Sequence, residues 1–274
     1  MIKVSVIMAV YNTNREIIEL AIDSILNQSI KELELIICDD GSSDGIYESL
    51  EEISNKDDRI VLLRNPRNMG ASAARNRCIA KAKAEFIAIM DADDYSDEKR
   101  LEKQIEFLEN NSEFTFVGVS GQYFSDLKGI NEEKYYFCEY PQKEDFLFTL
   151  PFVHASLLFR KKALMDVKCY KEESIVTRSE DYDLMMRLYA KGYYGANLKE
   201  VLYFIRLDKS SYKRRKYRYR LLESVVKYKG FRSLGLMPRG IIYALKPLIV
   251  GLIPIRVLNM LRRKYYDSKR QGEI

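Results

Sequence analysis

Residues 86–94 read FIAIMDADD, a run of apolar and β-branched side chains that ends on three carboxylates within four positions. Such a run is typical of a strand buried on both faces of a parallel sheet, and it places Asp91, Asp93 and Asp94 at the carboxyl end of that strand. Open α/β sheets bind their ligands at this end. Carboxylates this close together raise one another's pKa unless a cation lies among them, so the pattern favours a divalent metal that carries a phosphate.

A purely structural interpretation of these carboxylates is also open. Asp is common in turns and at helix starts, and Ser96 and Asp97 lie just before the periodic stretch EKRLEKQIEFLE at residues 98–109. A helix start accounts for one of the three carboxylates and leaves the other two without a reason.

The rest of the N-terminal part alternates between strand and helix patterns. The predicted strands cover residues 2–10, 33–39, 59–65 and 86–90, and helical patterns lie between them. This alternation predicts repeated βαβ units, and therefore an α/β fold with a mostly parallel sheet flanked by helices. Residues 112–178 are less regular, and a further helix is predicted from about residue 180 to 191.

Composition narrows the class of protein. With 274 residues, 47% of them hydrophobic, the chain is long enough for one large domain or for a domain with an appendage. The four cysteines are widely spaced and the N-terminus does not resemble a cleavable signal, so we expect a reduced, cytoplasmic compartment and no structural zinc. Neither G-x-G-x-x-G nor a Walker A sequence is present, so a bound nucleotide would depend on acidic side chains and a metal.

Charge divides the chain into two parts. Residues 212–274 carry 17 Lys and Arg against 3 Asp and Glu, whereas residues 1–211 carry 28 against 37. We therefore predict a main domain over 1–211 and a basic, amphipathic helical appendage over 212–274. Its apolar part, residues 241–255, is interrupted by Lys and Pro and is shorter than the about 20 residues of a spanning helix.

This C-terminal segment has three possible roles. Apolar residues flanked by Lys and Arg favour peripheral binding to an anionic membrane surface. Packing against the main domain is the second possibility. Nucleic-acid binding is the third, but the apolar centre argues against it, so no nucleic-acid partner is expected.

Five motifs in a fixed order resemble the family 2 glycosyltransferases, over about residues 2–205. They are VSVIMAVYN (4–12), DDGSSDG (39–45), NPRNMGASAARN (65–76), DADD (91–94), which holds a DXD motif, and SEDYD (179–183). The resemblance implies the GT-A fold, a nucleotide-sugar donor and, for enzymes of this bacterial surface polysaccharide type, inversion at the sugar carbon.

The resemblance assigns a metal to the DADD motif. Asp93 is expected to coordinate the ion, and Asp91 is expected near both the ion and the ribose. The ion, Mg²⁺ or Mn²⁺, would bridge the two phosphates of a UDP-sugar, because hard cations prefer carboxylate and phosphate oxygens. Its role would be to stabilise the charge that grows on the leaving nucleoside diphosphate.

The resemblance also implies how the nucleotide is recognised. Asp40 is expected to accept a hydrogen bond from uracil, with Asp39 as a second candidate, and Tyr11 is expected to lie against the ring. At position 9 the chain lacks a hydroxyl that some relatives carry near the nucleotide. The other residues expected to line the donor pocket are Ala9, Asn68, Gly70, Arg75 and Ala92.

Structural explanations remain open for several of these donor-pocket residues. Asp40 and Gly41 form a dipeptide that favours a tight turn with or without a ligand. Gly70 is compatible with a simple turn. Arg75 is compatible with a solvated helix position.

Asp181 is the expected catalytic base. A transferase that inverts the sugar carbon needs a carboxylate within hydrogen-bond reach of the acceptor hydroxyl. Glu180, Asp94 and His154 are expected to orient groups or contact the acceptor. A capping box over residues 177–180 also explains Glu180, and a lone histidine among apolar residues is more often a satisfied interior side chain.

The sequence therefore predicts a metal-dependent, inverting glycosyltransferase. It would move a hexose or N-acetylhexosamine from a UDP-sugar to a hydroxyl of a lipid-linked saccharide, at the cytoplasmic face of the cell membrane, in surface polysaccharide biosynthesis. One alternative is a metal-dependent nucleotidyltransferase, which would normally carry a glycine-rich, basic loop where AVYNTNRE (9–16) stands. Another is a non-catalytic adaptor that binds sugar nucleotides at a membrane and has no need of Asp93 or Asp181.

Overall fold

A computed structural model describes residues 2–124, 130–207 and 217–252 of the chain. These residues form one mixed sheet with helices packed on both faces. The strands are β1 (Val4–Val10), β2 (Leu33–Asp39), β3 (Ile60–Arg64), β4 (Phe86–Asp91), β5 (Tyr95–Ser96), β6 (Phe114–Phe124), β7 (Ile130–Tyr135), β8 (Leu158–Arg160) and β9 (Tyr194–Arg206). The helices are α1 (Arg15–Leu26), α2 (Ile46–Ser54), α3 (Ala71–Lys81), α4 (Arg100–Asn110), α5 (Lys161–Asp166), α6 (Glu180–Ala190), α7 (Tyr217–Ser233) and α8 (Gly240–Leu252).

The first four strands form a parallel sheet in the order β3-β2-β1-β4. The apolar runs that predict β1, β2 and β4 are buried, and the predicted βαβ arrangement is confirmed. Ala9 on β1 pairs with Cys38 on one side and with Asp91 on the other. The carboxyl ends of three strands therefore meet at one edge of the sheet.

The second half of the sheet brings a distant segment back to the acidic motif. β8 is antiparallel to both β4 and β6, and β9 runs parallel to β6. The short strand β5, just after the acidic motif, pairs antiparallel with β9 through Tyr95 with Phe204 and Ser96 with Tyr203. Residues 203–206 consequently lie beside DADD.

The core has one layer on each face of the sheet. On one face, α1 and α4 bury side chains such as Ile22 and Leu101 against the strands. On the other face, α3 and α6 bury Cys78 and Leu188, and the C-terminal helices join the same cluster through Phe231.

The described part of the basic C-terminal segment packs against α6 and the cluster on that face of the sheet. In α7, Val226 and Phe231 are buried in the cluster that holds α6, and Gly230 lies so close that an added Cβ would be 2.1 Å from the sulfur of Met186. In α8, the Tyr243 ring meets Phe148 edge-on, with centroids 5.2 Å apart. The predicted boundary at 211/212 and the basic residues 253–274 lie outside the described residues.

α8 also has an exposed apolar side. Its large apolar side chains include Ile242 and Leu252, which are 76% and 73% exposed. The others on this side are Ile241, Leu245 and Ile249. Across the part of the chain that the structure describes, no helix is both long enough and apolar enough to cross a membrane.

Candidate active site

The guanidinium of Arg75 lies between two acidic groups that are far apart in sequence. Its Nη2 donates to Asp91 Oδ1 at 2.9 Å, and its Nη1 lies 3.7 Å from Glu180 Oε1. Burial alone would lower the pKa of Arg75, but the charges of Asp91 and Glu180 help to outweigh burial and raise the pKa. Arg75 is therefore not a solvated helix residue, because it joins the DADD motif to the start of α6.

The three carboxylates of DADD have different surroundings. Asp91 is partly exposed, and Asp93 is exposed while its backbone carbonyl accepts a hydrogen bond from Arg206 Nε at 2.9 Å. Asp94 is buried and accepts from the backbone N–H of Arg206 at 2.9 Å. Burial raises the pKa of Asp94 well above its ordinary value, and Asp91 and Asp93 add to the effect. Asp94 thus attaches the motif to β9.

Arg75 brings a positive charge to the DADD motif, where the sequence predicts a metal. A metal is predicted here because the carboxylates would repel one another without a cation. The structure places the guanidinium of Arg75 against Asp91. Among residues 2–124, 130–207 and 217–252, no three His, Cys, Asp or Glu side chains converge to hold a metal. Asp91 and Asp93 nevertheless offer hard oxygen ligands, and Mg²⁺ often binds through one or two carboxylates with phosphates and water completing its shell. The pair fits an ion that arrives with a diphosphate.

Asp40 holds the loop between β3 and α3. Its Oδ1 accepts from Asn65 Nδ2 at 2.7 Å and from the backbone N–H of Met69 at 2.9 Å, and its Oδ2 accepts from the N–H of Gly70 at 2.8 Å. Asn68 is exposed on this loop. The carboxylate therefore has a structural role, and its predicted contact with uracil stays a prediction.

Asp39 offers a buried carboxylate oxygen at the neighbouring position. Its Oδ1 accepts from the N–H of Ser42 at 3.2 Å. Its Oδ2 lies 3.4 Å from Arg64 Nε and has no hydrogen-bond partner within the described part of the chain. Asp39 pairs with Val10, so Tyr11, which is half exposed, follows at the same edge of the sheet. The Tyr11 ring is thus exposed at this edge, whereas the Asp39 carboxylate is buried against Arg64.

The two alanines of the predicted donor pocket lie at the ends of their strands. Ala9 is partly buried beside Asp91 in the sheet. Ala92 is buried between the carboxylates of the acidic motif. Neither brings a polar side chain to the edge.

Asp181 lies in the first turn of α6. The helix begins at Glu180 with Ser179 as its N-cap, so Thr177 and Glu180 do not form the capping box suggested by the sequence. Asp181 Oδ1 accepts from the backbone N–H of Tyr182 at 2.7 Å. Burial, assisted by the charge of Glu180, raises the pKa of Asp181 to about 6. The group is a stronger base than an ordinary aspartate, yet it is still ionised at neutral pH.

His154 is connected to Arg75 through Tyr170. Its Nε2 lies 2.9 Å from the hydroxyl of Tyr170, and the ring of Tyr170 lies 5.6 Å from the guanidinium carbon of Arg75. Burial, assisted by the charge of Arg75, lowers the pKa of His154 to about 3, so the imidazole is neutral. Tyr170 was not predicted from the sequence, and no motif marks it.

A cavity of about 640 Å³ opens beside Asp181. It lies between the start of α6, residues 148–150 and the C-terminal helices α7 and α8. A smaller cavity of about 210 Å³ lies on the Glu180 side, against Gly70 and Ser72 at the start of α3. Asp181 therefore lines the larger cavity, and its neighbour Glu180 lines the smaller one.

A family model described as glycosyl transferase family 2 matches residues 5–168. The chain belongs to this family. EpsE of Bacillus subtilis (strain 168), described as a glycosyltransferase, is 36% identical over 271 residues, which cover 98% of this chain and 96% of EpsE. The UDP-Glc:alpha-D-GlcNAc-diphosphoundecaprenol beta-1,3-glucosyltransferase WfaP of Escherichia coli is 38% identical over 120 residues, or 44% of this chain and 46% of WfaP.

A solved structure has a similar fold. S. aureus TarS 1-349 in complex with UDP-GlcNAc superposes with a TM-score of 0.65 at 19% identity, covering 98% of this chain and 92% of TarS. At that identity the likeness concerns the fold alone. The predicted GT-A fold of this family 2 glycosyltransferase is confirmed.

Proposed function

We propose that this glycosyltransferase moves a hexose or N-acetylhexosamine, with inversion, from a UDP-sugar to a hydroxyl of a lipid-linked saccharide in surface polysaccharide biosynthesis. The observation that carries the proposal is the continuous set of contacts from Asp91 through Arg75 to Glu180, with Asp181 next in the chain. This set brings the acidic motif expected at the diphosphate close to a carboxylate of raised pKa.

Two relatives support the choice of substrates. WfaP is named for a UDP-glucose donor and a saccharide acceptor on a diphospholipid, and TarS binds UDP-GlcNAc. A uridine diphosphate donor and a lipid-linked acceptor are therefore the substrates that we propose for this chain.

Asp181 is the base in this proposal. The acceptor hydroxyl attacks the sugar carbon on the side opposite the diphosphate, its proton passes to the Asp181 carboxylate, and the diphosphate leaves with the electron pair of the broken bond. A pKa near 6 keeps the carboxylate ionised and ready to accept this proton at neutral pH. General base catalysis of this kind contributes a factor of about 10² to 10⁴ in rate.

The donor would occupy the edge formed by the ends of β1, β2 and β4. We propose that Tyr11 and the Asp39 carboxylate, whose Oδ2 is paired with Arg64, meet the uracil ring, while Asp40 keeps the loop with Asn68 and Gly70 in place. Asp91 and Asp93 would hold a divalent cation, which supplies electrostatic stabilisation of the leaving diphosphate when bound.

Arg75 orients the two halves of the proposed site. Its guanidinium offsets the charges of Asp91 and Glu180, which would otherwise repel each other across the site. It therefore keeps the donor side and the base at a fixed separation.

The experiment that tests the function is incubation of the purified full chain with a panel of nucleotide sugars and Mn²⁺. Slow hydrolysis of one UDP-sugar, with release of UDP, is the expected result. A nucleotidyltransferase would release pyrophosphate from a nucleoside triphosphate instead, and an adaptor would release nothing. Absence of UDP release from every UDP-sugar contradicts the proposal.

We also propose that the chain binds the inner face of the cell membrane through the exposed apolar side of α8. Truncation after residue 211 is a poor test, because α7 shares a core with α6. Substitution at exposed positions is cleaner: Ile242→Asp with Ile249→Asp should reduce sedimentation with anionic vesicles. The control is Met165→Asp with Lys162→Gln, which makes the same net charge change of −2 at two exposed positions of α5. Equal sedimentation of both variants and the native chain would contradict membrane binding by this surface.

A further inference from the structure

The cavity beside Asp181 carries more positive than negative charge. Its two carboxylates are Asp181 and Glu223. Its cations are Arg178, Arg220, Lys227 and Lys246. Among the described residues that line the cavity, the cations still outnumber the two carboxylates when Arg178 is left out of the count, so a net positive charge remains.

The cations are held in defined positions. Glu223 pairs with Arg220 and with Lys227, each at 3.2 Å, so the two cations lie side by side. Lys227 is only 8% exposed, and its ammonium lies 5.3 Å from the centre of the Tyr182 ring. Side chains arranged before a ligand arrives lose little conformational entropy when it binds.

One residue of the cavity lining lies on α8 beside the exposed apolar side of that helix. Lys246 lines the cavity, while Leu245 and Ile249 on the same helix are exposed apolar residues. A ligand with a phosphate in the cavity could therefore extend an apolar chain along this helix. A hydrophilic anion would make no use of that surface.

We infer that this cavity binds the phosphate of the lipid-linked acceptor, and that the C-terminal helices are part of the acceptor site. The inference rests on the proposed function. A phosphate or diphosphate matches the net positive charge better than a single carboxylate does. Because the cations and Asp181 line one cavity, the reacting hydroxyl belongs to a sugar close to the phosphate.

The test is calorimetric titration of the full chain with geranyl diphosphate, in saturating UDP and Mn²⁺ so that the donor site is filled. The wild type should bind, and Lys246→Ala and Arg220→Gln should each weaken binding about fivefold or more, the order of one lost charge contact at a partly exposed site. Lys229→Ala, on the exposed side of α7 and outside the cavity, is the matched control and should bind like wild type.

Competition separates the possible sources of the anion. Inorganic pyrophosphate that displaces geranyl diphosphate only weakly indicates a lipid ligand, and equal displacement indicates that the phosphate alone is recognised. Glucuronate that displaces as well as pyrophosphate overturns the inference, as does equal affinity of all four proteins for geranyl diphosphate. UDP affinity and UDP-sugar hydrolysis of the wild type are measured on the same samples. Loss of these two activities would contradict the proposed function, independently of the result with geranyl diphosphate.

Discussion

Replacing Asp181 with asparagine should stabilise the protein at alkaline pH while it removes transfer. Burial raises the pKa of this carboxyl from 3.8 to about 6, so the folded protein resists its ionisation and the unfolded chain does not. Stability therefore falls as the pH rises from about 4 to 6 and stays reduced above that range. At about 1.4 kcal/mol per pH unit, the penalty reaches about 3 kcal/mol.

The asparagine variant has no such penalty, because its side chain does not ionise. Urea unfolding should give nearly equal free energies for Asp181→Asn and wild type at pH 4, and a variant more stable by up to about 3 kcal/mol at pH 8. Transfer at pH 8 should fall about 10²-fold or more, the scale of general base loss, while UDP binding persists.

A control on the same helix should change in the opposite direction. Asp183 pairs with Lys171 at 2.9 Å and with Arg187 at 2.6 Å, so Asp183→Asn should lower the free energy of unfolding at pH 8 by at least about 1 kcal/mol. If both variants lose stability at pH 8, the raised pKa of Asp181 is wrong, and so is the basis for its role as a base.

Four further outcomes are expected. Transfer by the wild type should decline as the pH drops through about 6, since Asp181 becomes protonated, and a flat rate from pH 5 to 8 would exclude this base. Arg75→Gln should lower the free energy of unfolding in urea by about 3 to 5 kcal/mol, because two carboxylates lose their shared cation, and a change under 1 kcal/mol would contradict this. Gly41→Ala should lower the free energy of unfolding by about 2 kcal/mol or more, because the glycine has φ 71° and an added Cβ would lie 2.4 Å from the Arg67 carbonyl carbon. Gly45→Ala is the control and should lower it less, because Gly45 has φ 84° but open space around the added Cβ. Asp93→Asn should weaken Mn²⁺-dependent UDP binding, and equal affinity with and without chelator would remove the metal from the proposal.

The first half of the fold could be predicted from the sequence because its strands are buried on both faces. β1, β2 and β4 read as unbroken apolar runs, and each ends on polar residues that mark the edge of the sheet. β9 was not predicted. Its sequence, YGANLKEVLYFIR, does not alternate regularly, and its pairing with β6 is interrupted by register shifts.

The site was predicted less completely than the fold, because the sequence does not show which way each side chain points. The sequence places Arg75 on a helix, but α3 has little contrast between its faces, so burial of this side chain could not be inferred. Asp39 and Asp40 are adjacent and chemically identical. Only the structure shows that the loop amides donate to Asp40, whereas Oδ2 of Asp39 is paired with Arg64. The cavity beside Asp181 is completed by α7 and α8, which carry none of the five motifs.

The pairing of β9 with the segment after DADD limits how related enzymes can be recombined. Arg206 donates through its backbone to Asp94 and through its side chain to the Asp93 carbonyl, so these contacts join positions more than a hundred residues apart. A chimera that takes the first ninety or so residues from one parent and the remainder from another keeps each such contact within one parent. A junction placed between β5 and β9 would instead mix partners at the acidic motif, and such hybrids should fail by misfolding rather than by altered sugar choice.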